Sequence, residues 1–318
     1  MKITLWEGMI RMPAIIAKKI LTKVWQLNGK RDLARIATLT PASGVAEVCN
    51  LAYINDGHPL HLLDIYYPEG TTQPLPLIVD IHGGGFMYGD KDLNKYFCLD
   101  LASRGFAVAN LSYRLSPETT LLGQIQDCFA AFRWLSENAG QHFCDLDNVF
   151  VTGDSAGGYL SSLACAVMGR DDLPAAFGVT LPGFRFRAAG FTCGAFSPSS
   201  LFKRLKFIGT GMKMICLGDD WESYPLLQYL DIADMLEGTT LPPIYMSSSE
   251  QDLLLNQSEE FSRQLTARGI AHTFRKWDKI PERKLDHVFN VLHPEWPESI
   301  ETNEEMLDLF RANTVVKA

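Results

Sequence analysis

The chain has 318 residues, 47% of them hydrophobic and 21% charged, proportions that exclude both a disordered chain and a membrane bundle. A net charge of −8 leaves no broad basic face to neutralise phosphates, which argues against a nucleic-acid partner. The seven cysteines are odd in number and contain no Cys-x-x-Cys pair. Reduced, mostly buried thiols are therefore expected, and no metal centre is legible.

The charge is uneven along the chain. Residues 1–36 hold eight Lys or Arg and two acids, a local charge of +6. The stretch from Met12 to Trp25 mixes apolar and basic residues; packing as a helix on its own protein is the expectation, in preference to lying on an anionic membrane. No apolar run reaches the roughly 18 residues of a spanning helix. Glu7, Arg11 and Lys18 interrupt any signal-like core, so a cytoplasmic location with no stable membrane insertion is expected.

From about residue 41 onward, short β-rich runs alternate with helical patterns, the signature of a mainly parallel sheet covered on both faces. Leu60 to Tyr67, Pro76 to His82 and Phe106 to Tyr113 read as strands. Leu121 to Asn138 reads as a helix, with Ile125, Cys128, Phe129, Phe132 and Leu135 at three- and four-residue spacing. Asn148 to Gly153 reads as a strand that runs directly into a helix from Ala156. Further strands are expected at Arg187 to Ala195, Pro242 to Ser248 and Ala271 to Trp277. A helix capped by Asn256 and closed at Gly269 separates the last two, and a final helix runs from about Ser299 to Ala312 with Thr302 and Glu305 as a capping box. Residues from about 197 to 235 fit the strand pattern poorly and read as a helical insertion.

Two motifs carry chemistry. Gly153-Asp154-Ser155-Ala156-Gly157 sits at the junction of a strand and a helix, where a sharp turn can hold a nucleophilic hydroxyl out of the sheet and above a helix N-terminus. His82-Gly83-Gly84-Gly85-Phe86 follows a strand, and its bare backbone N–H groups suit an oxyanion hole; Gly83 and Gly84 with Ala156 are the expected donors. A phosphate loop is disfavoured because no Lys-Ser/Thr follows the glycines. Serine needs a base and an orienting carboxylate. Asp252, just past a strand end, and His287, in the loop after the last strand, stand in the required chain order. Glu250 and His293 are the weaker competitors for these roles. His82 is expected to order the glycine loop, and His58 and His61 to be surface or edge residues.

Together with Ser112-Tyr113-Arg114-Leu115-Ser116-Pro117-Glu118, these motifs resemble the hormone-sensitive-lipase-like branch of the α/β-hydrolase esterases over roughly residues 63–289. The resemblance implies an α/β-hydrolase fold with a mostly parallel eight-stranded sheet. It also implies a core from 41–196 and 236–318 and a helical cap from 1–40 and 197–235. The implied activity is carboxylic ester hydrolysis through an acyl-enzyme, with Ser155, Asp252 and His287 as the triad, Gly83, Gly84 and Ala156 as the oxyanion hole, and no cofactor or metal. Small esters with short acyl chains are the expected substrates. A deacetylase of carbohydrates or aryl amides would use the same triad, and a ligand-binding protein on a hydrolase scaffold is the non-enzymatic alternative. The oligomeric state is open, a homodimer included. Tyr113, Arg114, Glu118 and Asp127 are expected to be structural, and the cap aromatics Trp6, Trp25, Phe202, Phe207 and Trp221 to pack more than to line a pocket. This chain departs from the family in the segment Phe191 to Ser197, which lacks the usual apolar-Ser-Pro ending, and in Val288, where Gly commonly follows the histidine.

Overall fold

The computed structural model describes residues 5–204 and 206–316, apart from the side chains of residues 5–15, 17, 18, 26, 206 and 207. Trp6 and Phe207 therefore lie outside the described side chains.

Eight strands form one sheet: β1 (Val45–Ala52), β2 (Leu62–Pro68), β3 (Leu75–Ile81), β4 (Ala107–Leu111), β5 (Cys144–Asp154), β6 (Phe186–Thr192), β7 (Ile244–Ser249) and β8 (His272–Trp277). Their spatial order is β1-β2-β4-β3-β5-β6-β7-β8. β2 runs antiparallel to β1 and β4, and every other pairing is parallel. The helices are α1 (Leu5–Ile36), α2 (Lys95–Ser103), α3 (Leu121–Asn138), α4 (Ala156–Gly169), α5 (Leu173–Phe177), α6 (Pro198–Arg204), α7 (Lys206–Cys216), α8 (Leu255–Ala267), α9 (Phe289–Leu292) and α10 (Pro297–Ala312).

The central strands are apolar on both faces because both are covered. Successive residues of a strand point to opposite sides. Leu77, Val79 and Ile81 of β3 pack with α3 and α4, whereas Ile78 packs on the opposite face with α2 and α10. On that second face Phe150 of β5 stacks on Phe310 of α10 at 4.7 Å, both fully buried. Truncating such a ring costs about 3–5 kcal/mol. Between β6 and β7 the chain leaves the sheet to form α6, α7 and three short 3₁₀ turns, and α1 packs against α7.

Differences from the sequence expectations have local causes. β1 carries Glu47 and Asn50 on a half-exposed edge and so lacks an apolar alternation. Its ladder is also broken between Val48 and Leu51, where Asn50 adopts φ 61° and donates its N–H to Asp64 Oδ1 at 2.7 Å. α8 starts at Leu255, so Asn256 lies inside the helix; the preceding turn is fastened instead by Leu254 N–H donating to Asp252 Oδ1 at 3.0 Å. α10 opens two residues earlier than expected with Pro297 in its first turn, a position that suits proline's fixed φ. Thr302 is thus mid-helix, its hydroxyl donating back to Glu298 O at 2.6 Å and accepting from Trp277 Nε1 at 2.8 Å.

All seven cysteines are free thiols, and Cys49 alone among them is exposed. No helix among the described residues is long and apolar enough to cross a membrane.

Candidate active site

β5 ends at Asp154 and α4 begins at Ala156, leaving Ser155 as the single joining residue. It adopts φ 52°, ψ −114°, a sparsely populated conformation held only where surroundings over-determine it. The restraint comes from three backbone bonds: Ser155 N–H donates to Thr192 O at 2.9 Å, and Ser155 O accepts from Tyr159 and Ala195 N–H at 3.2 and 3.0 Å. A Cβ at Gly153 would collide with Gly157 O, and one at Gly157 with Ile81 O. Only this Gly-x-Ser-x-Gly spacing lets the helix approach the strand ends so closely.

His287 Nε2 lies 2.9 Å from Ser155 Oγ, and His287 Nδ1 lies 2.7 Å from Asp252 Oδ1. Burial works to raise the Asp252 carboxyl. The hydrogen bond and charge of His287, with donations from Leu254 N–H and Ser248 Oγ, outweigh it and hold the group below its usual range. The loop carrying His287 is tied down by Ser249 Oγ donating to Leu285 O, and by Leu285 N–H donating to Gln251 Oε1 at 3.1 Å. Val288 then takes φ 56°, a left-handed conformation that a β-branched residue rarely adopts. Glycine, expected here from the resemblance, would take this conformation without strain. Here the turn is held by Val288 N–H donating to Cys193 Sγ at 3.4 Å. The ligand-type atoms of Cys193, Asp252 and His287 lie within 4.8 Å of one another, yet the imidazole and carboxylate already satisfy each other.

The glycine loop requires a correction. Gly83 N–H donates to Asp154 Oδ1 at 2.9 Å and is not available to an oxyanion. The Gly84 and Gly85 N–H groups have no acceptor among the described residues, so these two with Ala156 are the open donors. Asp154, the residue before Ser155 in the pentapeptide, is thus the clamp that sets the loop. Asn94 Nδ2 bridges it to Asp80, at 2.8 Å to Asp154 Oδ1 and 2.9 Å to Asp80 Oδ2. Burial, reinforced by the Asp154 charge, pushes the Asp80 carboxyl up to about 8. His82 is fully buried, which lowers it to about 4. The neutral ring stacks on Tyr113 at 4.4 Å, and its Nδ1 lies 2.7 Å from Gly83 O. Tyr113 donates to His82 O at 2.9 Å. His82 and Tyr113 therefore order the loop, as expected.

The competitors lie elsewhere. Glu250 accepts from Lys279 N–H, and His293 stacks on Trp296. Arg114 makes a two-pronged pair with Asp127 at 2.6 and 2.9 Å, and Glu118 meets His58. His61 departs from the expectation of a surface or edge residue: it is buried, pairs with Asp56 at 2.9 Å and lies 3.5 Å from Asp127, because β2 is flanked on both sides.

Above Ser155 lies a cavity of about 510 Å³. Its roof is one stripe of α1, Leu21, Trp25, Asn28, Asp32 and Arg35, which alternates steps of four and three residues and so stays on one helix face. Trp25 stacks on Tyr88 at 5.6 Å, and Tyr88 donates to Asp32 at 2.9 Å, fastening α1 to the glycine loop. Arg35 donates to Leu292 O at 2.8 Å, fastening it beside His287. Trp25 thus lines the pocket, contrary to a purely packing role. Phe202 is buried in the core, and Trp221 lies under Lys213 at 3.9 Å.

The family described as alpha/beta hydrolase fold matches residues 78–285, more than half of the chain. The chain belongs to that family. It is 30% identical over 225 residues to carboxylic ester hydrolase LipN of Mycobacterium tuberculosis, covering 66% of this chain and 57% of the relative. To carboxylesterase NlhH of the same organism it is 27% identical over 215 residues, covering 65% of this chain and 66% of the relative. The matched stretch is thus less than two thirds of either relative's length. Esterase B from Lactobacillus rhamnosis superposes with a TM-score of 0.88 at 36% identity, covering 94% of this chain and 96% of that one.

Proposed function

We propose that this protein is a serine carboxylesterase that cleaves small esters with short acyl chains. One observation carries the reading: the hydroxyl of Ser155, on a strained turn at a helix N-terminus, lies 2.9 Å from an imidazole whose other nitrogen lies 2.7 Å from a buried carboxylate. In this reading His287 Nε2 takes the Ser155 proton as Oγ attacks the ester carbonyl. The N–H groups of Gly84, Gly85 and Ala156 receive the oxyanion, each contributing about 3 kcal/mol at the transition state. His287 then protonates the departing alcohol, and water admitted on the same side releases the acid. Asp252 holds the imidazole tautomer and its developing charge. We take α1 with α6 and α7 as a cap that bounds the acyl and alcohol groups.

Support for ester cleavage over amide or sugar-acetate cleavage comes from the relatives, which are named as ester hydrolases. Support for short acyl chains comes from the cavity volume and from Esterase B, whose structure with a C4-C4 SN3 tributyrin phosphonate superposes at a TM-score of 0.87. Hydrolysis of p-nitrophenyl esters from acetate to decanoate tests the reading. Turnover should peak at short chains; a preparation inactive on acetate and butyrate would overturn it.

A further inference from the structure

The stripe of α1 that roofs the cavity is only one of its faces. Ile16, Ile20, Val24 and Leu27 recur at steps of four, four and three residues and are 54%, 57%, 43% and 50% exposed. Of the ten large hydrophobic residues exposed among the described residues, five fall between residues 16 and 33. At 3.6 residues per turn the exposed stripe lies about a quarter turn from the roof face. Exposed Lys19, Lys23 and Lys30 run along its far border, and Arg31 is exposed beside it. Between Glu7 and Asp32 the sequence contains no acid, and Asp32 is turned to Tyr88 at the pocket. Solvent alone does not account for an apolar stripe at helical spacing beside a row of lysines in a chain of net charge −8.

We propose that α1 docks the protein reversibly on an anionic lipid surface, Ile16, Ile20, Val24 and Leu27 entering the interface while Lys19, Lys23 and Lys30 meet the headgroups. The charge selects this occupant. A second copy of the chain would set a segment of charge +6 against itself, whereas an anionic leaflet complements it. The helix that roofs the catalytic cavity is then also the membrane-facing element. The proposal does not depend on the reaction assigned above.

Co-sedimentation of the full chain with vesicles tests it. Wild type should partition onto mixed phosphatidylglycerol–phosphatidylcholine vesicles and not onto pure phosphatidylcholine, and the partitioning should fall steeply between 0.05 and 0.5 M salt, about as the Debye length shortens. The triple variant Lys19→Gln/Lys23→Gln/Lys30→Gln should lose about a hundredfold in partition coefficient. Ile20→Ser/Val24→Ser/Leu27→Ser should also be shed from anionic vesicles while keeping the wild type's circular dichroism spectrum and cooperative thermal unfolding in vesicle-free buffer, which shows that it is folded. Equal binding to neutral and anionic vesicles, no binding at all, or unchanged binding of the serine variant would overturn the proposal. So would a dimer mass in solution that the serine variant reduces to a monomer.

Discussion

The sheet edge and the α1 roof make one cavity, but they are built differently. At the sheet edge Ser155, His287, Asp252 and Asp154 sit on strand ends or the loops that follow them, and each is held by two or more hydrogen bonds. Overhead, α1 packs against α7 and meets the pocket walls through side chains that include Trp25, Asp32 and Arg35. In the proposed reading, groups held at strand ends and their loops carry the reaction, and side chains of a helix bound the substrate. Mutations at the edge should therefore strike turnover, and those on the roof should strike selection.

The largest effect should come from the nucleophile: Ser155→Ala should lower kcat on p-nitrophenyl butyrate by about 10⁶, and Asp252→Asn by about 10⁴ through the wrong imidazole tautomer. Asp154→Ala frees Gly83 N–H and unclamps the glycine loop, and kcat should fall by about 10²–10³ with little change in KM, as for loss of an oxyanion donor. A roof mutation breaks the pattern in the other direction. Trp25→Ala enlarges the cavity beside Gly85 and should move the preferred acyl chain to longer lengths, with a change in kcat/KM of about tenfold read across an ester series.

The smallest expected effect is on stability. Folding holds on Asp80 a proton that the unfolded chain releases above its ordinary value of 3.8, whereas the folded group titrates near 8. The native state binds more protons across that window, so stability falls as pH rises from about 4 to 8. Asp80→Asn should flatten this fall, seen as a Tm that changes less with pH than the wild type's.

The same contrast governs what the sequence discloses. Ser155 and Asp252 are legible because each follows a buried strand whose end is marked, β5 and β7, whereas His287 lies in the loop after the half-exposed β8 and is picked out by chain order. The sequence does not reveal that the Gly83 N–H is occupied, because only the fold brings the carboxylate of Asp154 to it. The sheet is legible where strands are buried on both faces; β1, an exposed edge strand with a bulge, carries no comparable pattern. On α1 the apolar residues fall on two faces, so periodicity signals a helix but not which stripe roofs the pocket and which stays exposed.

Whether Ser155 is the nucleophile is read most plainly by incubating the intact protein with an alkyl phosphonate ester, followed by proteolysis and mass mapping. One stoichiometric adduct is expected on the peptide containing Gly153 to Gly157, absent from Ser155→Ala. An adduct on any other residue, or full modification of the alanine variant, would contradict that role.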